Sequence, residues 1–286
     1  MDKKESLLSF ERELRTVRSC SDNTVKAYVS CVSEIVDWFE QNNIELNRAT
    51  RNDFLRWKEE ADKTGKAPRT LALIITSFKQ YWKFLTVNEQ VTLPWPEIRQ
   101  RVKEQTPTNV PSAGQYLKIR DRIKYNKYGR VIEFLSGTGL RLNAALTIKK
   151  KHVRLDGRPH IIVDGDMDCK GKIAGIIPIS PYVGRIVIEL IKDKNQDDVL
   201  FDIPERTVQY AVNKISPDGL SLCPHSFRHF YCSMLYYKNF DGGRHDPIYV
   251  RDAAGHSSIS VTDRYLKFAR TVCQSDEEWA SWAEGK

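Results

Sequence analysis

The first hundred residues repeat one pattern, apolar side chains three or four positions apart with charged ones between them. At about 3.6 residues per turn this spacing collects them on one helix face. Residues 7–17 carry a sparse version of it. Asp22 or Asn23 then offers a cap for a helix striped by Val25, Tyr28, Val29, Val32, Ile35, Val36 and Phe39. A short helix opens at Thr50 and runs through Trp57. A long one after Gly65 turns Leu71, Ile74, Ile75, Phe78, Trp82 and Leu85 inward. No strand-like alternation precedes residue 100, so the pattern predicts a four-helix unit.

The run LPWP at 93–96 breaks the periodicity, and a polar stretch with two more prolines follows. Such composition between periodic regions reads as a connection between domains. The chain accordingly divides into a helical domain over 1–96, a linker over 97–113 and a second domain over 114–286. In the second domain, 131–135 reads as a buried helix and 136–139 as a tight glycine-containing turn. Residues 141–153 read as the next helix, starting at Arg141. β-Branched runs around a polar centre at 158–180 predict the strands of a hairpin. Amphipathic helices are expected over 181–194 and 204–215. Pro224 suits the first turn of another, and Asp246 caps a short one that delivers Gly255-His256. Later helices carry Tyr265 and then Trp279 and Trp282. The fold class is mainly α, with a small β-hairpin or sheet in the second of two domains.

Composition adds a partner. The 286 residues carry a net charge of +8 and a pI near 9.1, which favours an acidic ligand such as nucleic acid. Residues 1–100 are close to balanced, so most of the excess lies beyond them, some of it in the basic run at 118–130. Six cysteines at 20, 31, 169, 223, 232 and 273 form no CxxC pair, as expected of buried thiols in a reducing compartment. The charged start MDKKESLLSFEREL lacks a signal-peptide core, and no apolar run reaches membrane-spanning length. A cytoplasmic, nucleoid-associated or virus-encoded protein, not associated with membranes, is expected.

The chemistry concentrates between Pro224 and Tyr265. In PHSFRHF, His225 and Arg228 are three apart and share a helix face. Tyr265 follows His256 by nine residues, and Arg141 ends a separate Gly-rich turn, GTGLR. Arginines match phosphate oxygens bidentately, imidazoles donate hydrogen bonds or move protons, and a phenol can attack phosphorus. A zinc site at His225 and His229 lacks the acidic residue of HExxH, since Ser226 stands there, and lacks an evident third ligand. His229 otherwise reads as a supporting or core residue.

Taken in order, SGTGLRLNAAL, a Lys-Gly hairpin, HSFRH and AAGHSSISVTDRY resemble the tyrosine recombinase (phage integrase) family. The resemblance covers most of the second domain and, more loosely, the first, whose helices at DNTVKAY and APRTLALI look like that family's core-binding domain. It implies a site-specific DNA recombinase working through a 3′-phosphotyrosine, with Arg141, Lys170, His225, Arg228, His256 and Tyr265 as its catalytic set. Lys170 is reached by counting back from Pro178 to a Lys-Gly pair, with Lys172 as the alternative hairpin lysine. Lys26, Arg69, Thr70 and Lys172 are candidate DNA contacts, the first three because helix starts favour anions. The resemblance also implies double-stranded DNA as partner, a homotetramer on it, no cofactor and no metal. One departure is Ala144, where the family usually carries an acidic residue that buttresses the site. Two alternatives stay open on the sequence: a type IB topoisomerase-like nicking-closing enzyme, and a catalytically inactive, architectural DNA-binding protein.

Overall fold

The computed structural model describes residues 3–88, 90–102, 109–123, 128–163, 175–256, 258–267 and 269–285. The chain separates into two compact units, 1–105 and 106–286.

The first unit is built of α1 (Lys3–Thr16), α2 (Asp22–Gln41), α3 (Arg51–Lys63) and α4 (Pro68–Val87). Their starts follow from sequence. The Ser21 hydroxyl accepts from the Thr24 amide, the Asp53 carboxylate accepts from the Thr50 amide at 2.8 Å, and Pro68 occupies the first turn of α4. The apolar stripes meet in an aromatic core of Phe10, Phe39, Phe54, Phe78, Tyr81 and Trp82, all nearly inaccessible to solvent. Polar atoms at its edge find partners: Tyr81 bonds Ser6 at 2.5 Å, and the Trp82 indole donates to the Leu93 carbonyl at 2.8 Å. Trp95 lays its ring against Phe54 and Phe78, and Ile98 is buried in the same core. The Pro-rich run is thus packed against the unit it follows.

The second unit contains α5 (Ala113–Ile123), α6 (Gly129–Thr138) and α7 (Leu142–Thr147), then β1 (Val153–Arg154), β2 (His160–Val163) and β3 (Gly175–Pro178). The strands form one antiparallel sheet in sequence order, with Ile161 opposite both Val153 and Ile177. Helices α8 (Pro181–Ile191), α9 (Glu205–Lys214), α10 (Pro224–Tyr237), α11 (Pro247–Ala254), α12 (Ile259–Leu266), α13 (Ala269–Val272) and α14 (Asp276–Ala283) follow. Helix α10 is the centre of the unit, with α6, α11, α12 and α13 packed around it. Its Phe227, Phe230, Tyr231, Met234 and Leu235 are fully buried.

The expected helix over 141–153 ends instead at Thr147. There the backbone leaves the helix to pair with the segment before α9. Leu200 donates to the Ile148 carbonyl at 2.8 Å, Lys149 bridges Val199, and Lys150 donates to the Asp198 carbonyl. A short 3-10 turn, Lys150–His152, then leads into β1. The expectation of buried cysteines holds for Cys232 and Cys273 and fails at Cys223, which is exposed at the cap of α10.

Helix α14 docks on its own unit, against α5 and α8. The Trp282 indole donates to the Ser136 carbonyl at 3.1 Å, Arg120 donates to the Ser281 carbonyl at 2.6 Å, and Arg185 donates to the Glu284 carbonyl. Ser275 caps the helix by accepting from the Glu278 amide.

Candidate active site

Two helix ends and one helix middle build the site. Helix α6 stops at Gly139, whose φ of +62° is left-handed and whose hydrogen atom faces the Tyr231 ring. A Cβ there would fall 2.2 Å from that ring, so both conformation and space demand glycine. The turn sets Arg141 at the N-cap of α7, exposed to solvent. Helix α11 stops in the same manner at Gly255, with φ +63°. His256 follows, its amide donating to the Arg251 carbonyl at 3.0 Å.

Between these helix ends lies Arg228, from the first half of α10 and only 2% exposed. Its Nη1 donates to the Gly139 carbonyl and its Nη2 to the Ala254 carbonyl, each at 2.6 Å. The C-terminal ends of α6 and α11, where helix dipoles are negative, thus clamp the guanidinium. Among the described residues no carboxylate pairs with it. Its Nε is buried without a hydrogen-bond partner. A cation held in this manner keeps its charge available to an anion.

Tyr265, on α12, is 7% exposed. Its Oη lies 3.5 Å from His225 Nε2. Its ring stacks on His229, centroids 4.2 Å apart at 29°, and on His256, 4.7 Å apart at 27°. His225 and His229, one helical turn apart on α10, meet edge to face at 4.8 Å. His256 Nδ1 and the buried Thr262 hydroxyl are 3.0 Å apart, while His256 Nε2 and His229 Nδ1 are buried without partners.

The electrostatics follow from crowding and from the two arginines. His225 keeps an edge open to solvent; burial of the rest of the ring, then Arg228 and Arg141, push its pKa down to about 4. Burial does the same to His229, to about 4, with His225 and Arg228 contributing. His256 falls to about 3 through burial, then Arg228 and Arg141. All three rings are therefore neutral near pH 7. Burial raises the Tyr265 phenol, and Arg228 and Arg141 work in the opposite direction. The phenol is protonated at rest and faces a neutral imidazole able to take its proton.

Arg141, His225, Arg228, His256 and Tyr265 are thus brought to one place, Arg141 close enough for its charge to be felt at His225, His256 and Tyr265. Lys170 and Lys172 lie outside the described residues. Lys26, Arg69 and Thr70 belong to the first unit, all exposed, near the starts of α2 and α4. Among the described residues no group of three or more His, Cys, Asp or Glu side chains is placed to hold a metal ion. Sequence reasoning gave no role to Thr262, whose signal is its place on the same helix as Tyr265, or to the stacking face of His229, whose signal is its adjacency to Arg228.

Comparison with known proteins bears on the family and the fold. The sequence model of the Phage integrase family matches residues 105–271, and that of the phage integrase N-terminal SAM-like domain matches 7–89. A tyrosine recombinase XerA of Thermococcus kodakarensis is 24% identical over 285 residues, covering 92% of this chain and 91% of the relative. Among solved structures, a XerH site-specific recombinase bound to a palindromic difH substrate superposes with a TM-score of 0.70 at 20% identity, over 96% of this chain and 83% of that one. A lambda integrase dimer bound to a COC′ core site gives 0.71 at 17% identity, over 93% and 95%. These structural likenesses speak for the fold.

Proposed function

Because the chain belongs to the phage integrase family, we propose that it is a site-specific DNA recombinase that cuts and rejoins double-stranded DNA through a 3′-phosphotyrosine. The observation that carries the reading is the Tyr265 phenol 3.5 Å from a neutral His225 imidazole, beside a buried guanidinium with a donor to spare.

Arg141 and Arg228 hold the two non-bridging oxygens of the scissile phosphate and stabilise the charge that builds on the pentacoordinate phosphorus. Tyr265 Oη attacks phosphorus in line while its proton passes to His225 Nε2. The bond from phosphorus to the 5′ oxygen breaks, and Lys170 supplies the proton that oxygen needs. A Thr262 hydroxyl that donates to His256 Nδ1 leaves the ring proton on Nε2, where it can bond a phosphate oxygen. The phosphoester survives as the protein–DNA bond, so a 5′ hydroxyl from a partner strand reverses the attack without a nucleotide cofactor. The two carbonyls that clamp Arg228 support activity in spite of Ala144, because they hold the guanidinium without an acidic residue.

Division of labour follows the chain. Residues 1–96 form a core-binding domain that meets phosphates through Lys26, Arg69 and Thr70 at helix starts. Residues 97–113 link it to a catalytic domain over 114–286, with Lys172 a further phosphate contact. Exchange between two duplexes takes four active sites, hence a homotetramer on DNA, in the cytoplasm and at the nucleoid.

The test is covalent trapping. DNA retained by the protein is sequenced to find its site, and a nicked duplex carrying that site is incubated with protein in chelator. A slower protein–DNA band on a denaturing gel, absent for Tyr265→Phe, is expected. Tight binding with no such band overturns the reading and leaves a DNA-binding protein.

A further inference from the structure

His229 has no part in the chemistry above, yet its ring is the one that lies nearest in stacking distance to the nucleophile, 4.2 Å from the Tyr265 centroid against 4.7 Å for His256. The ring is tied in turn to the base, meeting His225 edge to face at 4.8 Å. Its Nδ1 is buried and unpartnered, so no hydrogen bond through that nitrogen accounts for its placement. Burial beside His225 and Arg228 keeps it neutral, and a neutral ring can lie against a phenol without adding a third cation to the arginine pair. Stacking fixes the plane of an aromatic ring and leaves its para substituent free. A wall against the ring face also blocks the swing about χ1, and in a phenol it is that swing which carries the oxygen, because Oη lies on the χ2 axis.

We propose that His229 is a positioning residue that walls the face of the Tyr265 ring against a swing about χ1 and so holds its Oη toward the phosphate and His225. This rests on the recombinase reading. His225 accepts the proton and His229 touches no reacting atom, so the two histidines of HSFRH divide the work of delivering one nucleophile. An attacking atom displaced by about 1 Å loses roughly 10²-fold in rate, and release of the ring from one stacking wall permits a displacement of that order.

The experiment is single-turnover covalent capture on the nicked site at saturating DNA, with DNA affinity and thermal midpoint measured alongside. For His229→Ala the capture rate constant is expected to fall by roughly 10- to 100-fold, with DNA affinity unchanged. A mere folding defect would reduce the captured amplitude and leave the rate constant of the folded fraction as it was. His229→Phe, which keeps a stacking face and discards the nitrogens, is expected to recover most of the rate. A captured wild type with His229→Ala at the wild-type rate overturns the proposal alone. So does His229→Phe as slow as His229→Ala, since the nitrogens would then matter and the stack would not. A wild type that binds its site and gives no covalent band overturns the parent reading, and this one with it.

Discussion

The aromatic core of the first unit and the cluster of Arg228, His256 and Tyr265 in the second are both buried, and they are built on opposite terms. In the first, Phe39, Phe54, Phe78 and Trp82 contact one another at centroid distances of 5.0 to 6.1 Å, and the neighbouring Tyr81 and Trp82 polar atoms are bonded. In the second, Arg228 Nε, His229 Nδ1 and His256 Nε2 are buried without partners inside one small pocket. Each such atom costs on the order of 1–3 kcal/mol. The first cluster stabilises its unit. The second is held in place by its unit, at a loss of stability, with its polar atoms left for a ligand. The Trp95 indole nitrogen is unpartnered in the first core too, so one orphan atom does not mark a site; the gathering of three around one phenol is what sets the second unit apart.

Mutation can test this contrast directly. Phe78→Ala removes the ring at the middle of the first cluster and is expected to cost about 3–5 kcal/mol of unfolding free energy, read from denaturant unfolding followed by tryptophan fluorescence. Arg228→Gln should do the reverse in kind. Covalent capture is expected to fall about 10²–10³-fold, equivalent to about 2.7–4 kcal/mol of barrier, while the thermal midpoint falls less than for Phe78→Ala, because losing the two carbonyl bonds is offset by removing a buried cation with no carboxylate partner. A midpoint that falls as far as that of Phe78→Ala would abolish the contrast.

A smaller effect comes from pH. The histidines of the site have folded-state pKa values lowered to about 4, 4 and 3 from an ordinary value near 6.5. Between these limits the unfolded chain binds protons that the folded chain refuses, so stability is full above pH about 6.5 and declines as pH falls toward the folded values. Thermal midpoints measured from pH 7 down to pH 4.5 should drop, and His256→Asn should flatten the slope by removing one of the three titrations. An unchanged slope would mean that His256 is not the dry, neutral ring described above.

Much of this molecule was legible in the sequence. Local periodicity foretold the helices of the first unit because each buries one stripe, and the family's ordered motifs named Arg141, His225, Arg228, His256 and Tyr265, which the fold brings to one place. What escaped was tertiary. The helix after Arg141 stops at Thr147 because a distant segment, 198–200, offers backbone partners. The clamp on Arg228 consists of main-chain carbonyls, which carry no sequence signature beyond the glycines at 139 and 255. The stack of His229 on Tyr265 joins residues 36 positions apart on different helices. The docking of α14 on its own unit depends on indole and guanidinium bonds to carbonyls, which sequence periodicity does not report.

That docking has a consequence for the order in which the protein is made. Ser136, whose carbonyl takes the Trp282 indole, stands in the last turn of α6, just before the turn that presents Gly139 and Arg141. Synthesis runs from the N-terminus, so the ribosome completes Tyr265 before it completes the helix that secures this turn. A nascent chain ending at Tyr265 contains Arg141, His225, Arg228 and His256 and still lacks the last hydrogen bond to the turn. The proposed catalytic residues are thus translated before the helix that braces their turn.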